Sequence, residues 1–172
     1  MSKVTMVHHL NVQITDRQRT REWYERVLGC TFLDRGELNK RQLQLNLGNS
    51  EMHFSEVKEV KLHPSVHFAV EVQNFDEMLA HLDKEGVEYG RVGGGAASRN
   101  IGCTDPRYGN REDNGEFYTY IHDPDGNMIE LVYHPQGLLN SEGERVELVN
   151  DPKGLRWGQL PEVEKALGKS KA

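Results

Sequence analysis

The chain has 172 residues, 36% of them hydrophobic, with a formal net charge of -6 and a mean hydropathy of -0.72. That length suits one domain, or two small half-domains sharing a core. Acids interleaved with Lys and Arg argue against a nucleic-acid footprint, and no apolar run approaches the roughly 20 residues needed to span a membrane. Cys30 and Cys103 lack paired spacing, which argues against a disulfide framework or a thiolate zinc site. The N-terminal residues show no signal-peptide layout, so a cytoplasmic protein with a small-molecule partner is expected.

In chain order, "HHLNVQITD" reads as an alternating strand ending at Asp16, followed by an amphipathic helix whose stripe is Trp23, Tyr24, Val27 and Leu28, closed by Gly29. The run "RQLQLNLGNSEMHFSEV" then reads as two strands joined by a Gly/Asn turn. After the linker "KEVKLHPS" the layout repeats: "VHFAVEV", Asn74, a helix with Phe75, Met78, Leu79 and Leu82 on one face, and Gly86. His9 stands seven residues before Asp16, and His67 seven before Asn74. Asp16 and Asn74 are good N-cap types, because a side-chain oxygen can accept from first-turn N–H groups. Gly29 and Gly86 suit the left-handed residue that ends a helix.

The second half continues with a long loop, about 90–116, and the strand pair "EFYTYIHDPDGNMIELVY". The loop is longer than ordinary connections, as lids and binding loops are, and as disordered insertions are too; its "GGG" is no phosphate-binding fingerprint. Residues 135–172 read as a C-terminal extension with room for a short helix near Leu160 to Leu167. The expected fold is therefore α+β: two βαβββ modules, about 4–58 and 64–134, forming a cleft-bearing incomplete barrel within a domain of residues 1–134.

Strand parity sorts the side chains. Leu10 and Val12 oppose His9, Asn11 and Gln13, and Met52 and Phe54 oppose Glu51, His53 and Ser55. Val66, Phe68, Val70 and Val72 oppose His67, Ala69 and Glu71, while Ile129 and Leu131 oppose Met128, Glu130 and Val132. A single strand His or Glu more often faces water than a metal. His9 and His67 open equivalent strands, however, and His53 and Glu130 sit near-equivalently on the last strand of each half. Two imidazoles and one carboxylate suit a borderline divalent ion and leave positions open for substrate.

The segments "HHLNVQITD" with "REWYERVLG", "HFAVEV" and "DPDGNMIEL" resemble the vicinal oxygen chelate superfamily, which includes glyoxalase I, fosfomycin and bleomycin resistance proteins and extradiol dioxygenases. The resemblance spans roughly Val4 to Tyr133. It implies paired βαβββ modules around one divalent ion (Fe, Mn, Ni or Zn), with His9, His67 and Glu130 as ligands. His53 falls where glyoxalase I places a carboxylate, and is expected as a fourth ligand or an acid/base. Tyr120, ten residues before Glu130 in the pattern YxxDPxGxxxE, resembles the substrate-orienting Tyr of the extradiol signature, although the upstream His of that signature is missing. Asn11 and Tyr118 share these cleft faces and are expected to contact substrate. A metal-dependent dioxygenase or lyase/isomerase acting on two adjacent substrate oxygens, in a homodimer, is the resulting expectation. The alternative is a metal-free binding protein of the bleomycin resistance type.

Overall fold

A computed structural model describes residues 7–90, 107–111, 115–135 and 137. The elements run β1 (His9–Ile14), α1 (Arg17–Leu28), β2 (Thr31–Phe32), a 3-10 turn (Gly36–Lys40), β3 (Leu43–Leu47) and β4 (Ser50–Glu56). The same order follows in β5 (His67–Glu71), α2 (Phe75–Glu85), β6 (Gly109–Asn110), β7 (Phe117–His122) and β8 (Met128–Tyr133). Strand β6 lies inside the stretch read from sequence as a loop, and residues 91–106 and 112–114 of that stretch lie outside the described residues, as does the helix anticipated near 160–167. No helix among the described residues is long and apolar enough to cross a membrane.

Both helices start and stop for the reasons their sequences suggest. The Asp16 carboxylate accepts from the Arg19 amide at 2.9 Å and the Asn74 side chain from the Glu77 amide at 3.2 Å. Gly29 and Gly86 end the helices at φ 64° and 66°, a region that disfavours any residue with a Cβ.

Each module forms a four-stranded sheet, in orders β1-β4-β3-β2 and β5-β8-β7-β6, with the first and last strands of the module parallel. The registers match. His9 pairs with Glu51 and Asn11 with His53; His67 pairs with Met128 and Ala69 with Glu130. His53 and Glu130 are therefore equivalent positions, each two residues further along the ladder than the pair made by the His that opens the module.

One face of each sheet packs under the helices in a shared core containing Tyr24, Val27, Met52, Phe54, Leu79, Leu82, Ile129 and Leu131. Completely burying a side chain such as Leu82 or Phe54 contributes about 2–3 kcal/mol. Val66 departs from the expected apolar face: it precedes β5 and is 67% exposed. Trp23 and Leu28 are only half-buried, while Thr20 joins Tyr24 and Val27 on the buried side of α1.

The turn between β7 and β8 clasps the two modules. Asp123 Oδ1 accepts from the Asp125 and Asn127 amides, each at 2.9 Å, which closes the turn. Its Oδ2 accepts from the Tyr24 hydroxyl of α1 at 3.2 Å. Asn127 donates to the Gln13 carbonyl at 2.9 Å, and Asp125 accepts from the Thr15 amide and hydroxyl and from Arg19. Burial pushes the Asp123 carboxyl above its ordinary range despite its donors. Burial also pushes Asp125 upward, but Thr15 and Arg19 outweigh it and hold this carboxyl below the usual range.

Asp123→Ala would leave the Tyr24 hydroxyl and two turn amides without their acceptor, and should cost about 2–3 kcal/mol in urea denaturation. Asp125 titrates lower when folded, so its stabilisation is full above about pH 4 and is lost as pH falls through the folded value. The gap between wild type and Asp125→Asn in urea midpoint should therefore be present at pH 7 and close progressively below about pH 4.

Candidate functional site

The faces turned away from the helices carry the predicted site residues. On the first sheet the His9 and His53 rings stack, with centroids 4.1 Å apart and planes 11° from parallel. His53 Nε2 lies 3.1 Å from Glu51 Oε2, and Glu51 Oε1 accepts from Arg35 at 2.6 Å. Burial pushes the Glu51 carboxyl upward, but the bond with His53 and the charge of Arg35 outweigh it and keep it below the ordinary range. Asn11 accepts from Ser55 at 3.0 Å beside this pair.

On the second sheet Glu130 is 5% exposed and fully engaged. Its Oε2 lies 3.1 Å from His67 Nε2. Its Oε1 accepts from the Tyr120 hydroxyl at 2.8 Å and from Arg111 at 2.7 Å. The parity argument explains this convergence, because Tyr120 and Glu130 are direct partners across the antiparallel β7/β8 ladder. Burial first, and the adjacent Glu130 carboxylate next, push the Tyr120 hydroxyl well above its ordinary value, so it stays protonated as a donor at neutral pH. Tyr118 lies buried on the same face, with the Arg111 guanidinium carbon 4.7 Å from its ring centroid.

A polar ladder leads away from Glu130. Arg111 also pairs with Glu116; Glu116 Oε2 lies 3.0 Å from His134 Nε2, and His134 Nδ1 lies 2.8 Å from Glu71 Oε2. Burial pulls the Arg111 pKa down, but Glu116 and Glu130 outweigh it and raise it above its usual value. Sequence reasoning did not single out Arg111, Glu116, Glu71 or His134. Parity does place Glu71 with His67, Glu116 with Tyr120 and His134 with Glu130. Arg111 sits just past the two-residue β6, where no periodicity marks it.

The structure thus brings the predicted residues together as two pairs, His9 with His53 and His67 with Glu130. Among the described residues, no group of three or more His, Cys, Asp or Glu side chains converges closely enough to hold a metal ion. The second pair fits part of such a site. Donors about 2.0–2.2 Å from one ion must lie close together, and the His67 and Glu130 donor atoms are 3.1 Å apart. A metal held there would need a third ligand from outside this pair.

The sequence model of the Glyoxalase/Bleomycin resistance protein/Dioxygenase superfamily matches residues 6–131. No curated protein sequence matches the chain. Solved structures similar to it include a protein assigned to the glyoxalase family from Bacillus anthracis, at 21% identity and TM-score 0.60, covering 78% of this chain and 98% of that one. A glyoxalase family protein from Enterococcus faecalis has 23% identity and TM-score 0.55, with coverages of 74% and 96%. The genomically encoded fosfomycin resistance protein FosX from Listeria monocytogenes has 13% identity and TM-score 0.57, with coverages of 78% and 97%. At these identities the likeness shows the fold.

Gly109 supports the floor of the second sheet, since a Cβ there would lie 2.5 Å from the Tyr118 ring. Gly109→Ala should displace that buried ring, cost about 1–3 kcal/mol in thermal or urea unfolding and change the near-ultraviolet circular dichroism. An unaltered spectrum and stability would show that the ring moves aside freely.

Proposed function

The chain belongs to the Glyoxalase/Bleomycin resistance protein/Dioxygenase superfamily, and on that footing we propose that it is a metal-dependent enzyme whose substrate presents two adjacent oxygens. His67 and Glu130 would supply one part of the metal site, and His9, with His53 beside it, the other part. The carrying observation is the pairing of His67 Nε2 with Glu130 Oε2 at 3.1 Å on a buried carboxylate whose other oxygen is already satisfied. When bound, a divalent ion supplies Lewis-acid polarisation of the substrate oxygens or, if it is Fe(II), a place for O₂.

The rest of the chemistry falls to the chain. The Tyr120 hydroxyl, kept protonated, donates its one proton to Glu130 here and would serve a substrate oxygen as donor by turning away from that carboxylate. His53, linked to Glu51, stands ready as a fourth ligand or as an acid/base. Asn11 and Tyr118 line the two faces where substrate would lie.

The positions of the two pairs support completion of the site by a second copy of the chain. Both β1 and β5 are edge strands, and His9, Asn11, Gln13, His67 and Ala69 are exposed. Val7 and Val66, beside the two opening histidines, are 64% and 67% exposed. In a twofold dimer the first module of one subunit would face the second module of the other, giving two equivalent sites. A second reading, a metal-free binding protein of the bleomycin resistance type using the same cleft, is favoured by the convergence of only two ligand-type side chains per group among the described residues.

Mixing variants separates these readings. His9→Ala and Glu130→Ala should each lose most bound metal as homodimers. After unfolding and refolding together, heterodimers should regain one site per dimer, read by elemental analysis. Failure to regain it, with metal bound by the wild type, would place the site within one chain. Wild-type protein that takes up no metal after reconstitution would favour the binding protein. Turnover would be sought with a catechol and O₂, a hemithioacetal, and a thiol with an epoxide.

A further inference from the structure

We infer that Arg111 is a positioning residue that makes Glu130 a one-oxygen ligand and weakens its donation to the metal. This rests on reading His67 and Glu130 as ligands, and concerns what controls the strength of that site.

The geometry divides the two carboxylate oxygens between different tasks. Oε1 accepts from Arg111 at 2.7 Å and from Tyr120 at 2.8 Å, while Oε2 is the oxygen turned toward His67 Nε2. A carboxylate with one oxygen committed to a guanidinium and a hydroxyl offers the other oxygen alone. Charge-assisted bonds of this kind are the stronger class of hydrogen bond, so the commitment is not a weak one.

Arg111 is itself fixed from several sides. Its second terminal nitrogen pairs with the buried Glu116, its guanidinium lies over the Tyr118 ring, and its backbone amide donates to the Glu116 carbonyl at 2.8 Å. Glu116 is in turn held by His134, and His134 by Glu71. The ladder running from Glu71 to Glu130 resembles a proton path, but an arginine does not give up its proton in proteins. What it carries is fixed charge. Three carboxylates belong to this ladder, Glu71, Glu116 and Glu130, and Arg111 stands between Glu116 and Glu130.

Two effects follow, with the same sign. The guanidinium repels a dication close by, and repulsion at such range in a partly buried site exceeds thermal energy severalfold. It also draws electron density from the carboxylate, leaving the ion more electrophilic toward substrate oxygens, in the way that outer partners tune metal sites. Arg111 thus exchanges affinity for Lewis acidity. A residue that merely propped Glu130 in place would do the opposite, since its removal would loosen the site.

The sign of the change decides the matter. Metal-free, full-length wild type, Arg111→Gln, Arg111→Lys and His67→Ala would be titrated with Co²⁺, following heat and visible absorption. Arg111→Gln should bind Co²⁺ about tenfold or more tightly than wild type, with weaker visible absorption as both Glu130 oxygens reach the ion and its coordination number rises. Arg111→Lys keeps the charge without the fork that grips Glu116 and Glu130 together, and should bind Co²⁺ less tightly than Arg111→Gln. Unchanged or weaker binding by Arg111→Gln, with His67→Ala defective, would overturn the inference and leave the ligand assignment standing. If His67→Ala binds Co²⁺ as the wild type does, or neither binds it, the ligand assignment fails and the inference falls with it.

Discussion

The register between the first and last strands of each module governs everything built on the cleft side. These strands are parallel neighbours, so a slip of one residue would exchange every core side chain for a cleft side chain. The core resists such a slip strongly: Met52, Phe54, Ile129 and Leu131 are at most 1% exposed, and moving any of them to the open face would forfeit about 1.5–3 kcal/mol each. Packing on the helix side therefore fixes His9, His53, His67 and Glu130 on the other side. The clasp made by Asp123, Asp125 and Asn127 then binds the two modules through β1 and α1, away from the faces that carry these residues.

Much of this was legible in the sequence because it depends on short-range rules. Capping by Asp16 and Asn74, termination at Gly29 and Gly86 and two-residue alternation each involve a few neighbouring residues. The repeat between halves then turned parity into equivalence, and the registers place His53 and Glu130 at the same point of their ladders. Illegible features depend on contacts across the fold. Arg111 lies in a stretch without periodicity and acquires its meaning only from Glu116 and Glu130 on the neighbouring strands. Val66 continued the apolar alternation but sits ahead of the strand, where no helix covers it. The clasp was also hidden: "DPDGN" reads as a turn, and nothing local shows that its acids reach Tyr24, Thr15 and Arg19.

Symmetry of position did not bring symmetry of charge. His53 is linked to Glu51, which Arg35 grips, whereas Glu130 is itself the gripped carboxylate, held by Arg111 and Tyr120. Each module thus places an arginine against a carboxylate on its last strand, but that carboxylate sits two residues apart in the two ladders. In the first module it supports an imidazole; in the second it stands in the candidate ligand position.

This difference bears on how halves would combine. Two first modules facing each other would bring together four imidazoles at His9 and His53 positions, their nearby Glu51 carboxylates already held by Arg35. Two second modules would bring two buried Glu130 carboxylates together, and like charges forced to share a site cannot both remain ionised. Only unlike halves would give imidazoles with one carboxylate in the candidate ligand position, Glu51 being held by Arg35, a mixture suited to a borderline divalent ion with open positions. Among the described residues the two pairs do not converge into one group, so the proposed metal site would need a twofold arrangement in which each subunit supplies one half of each site.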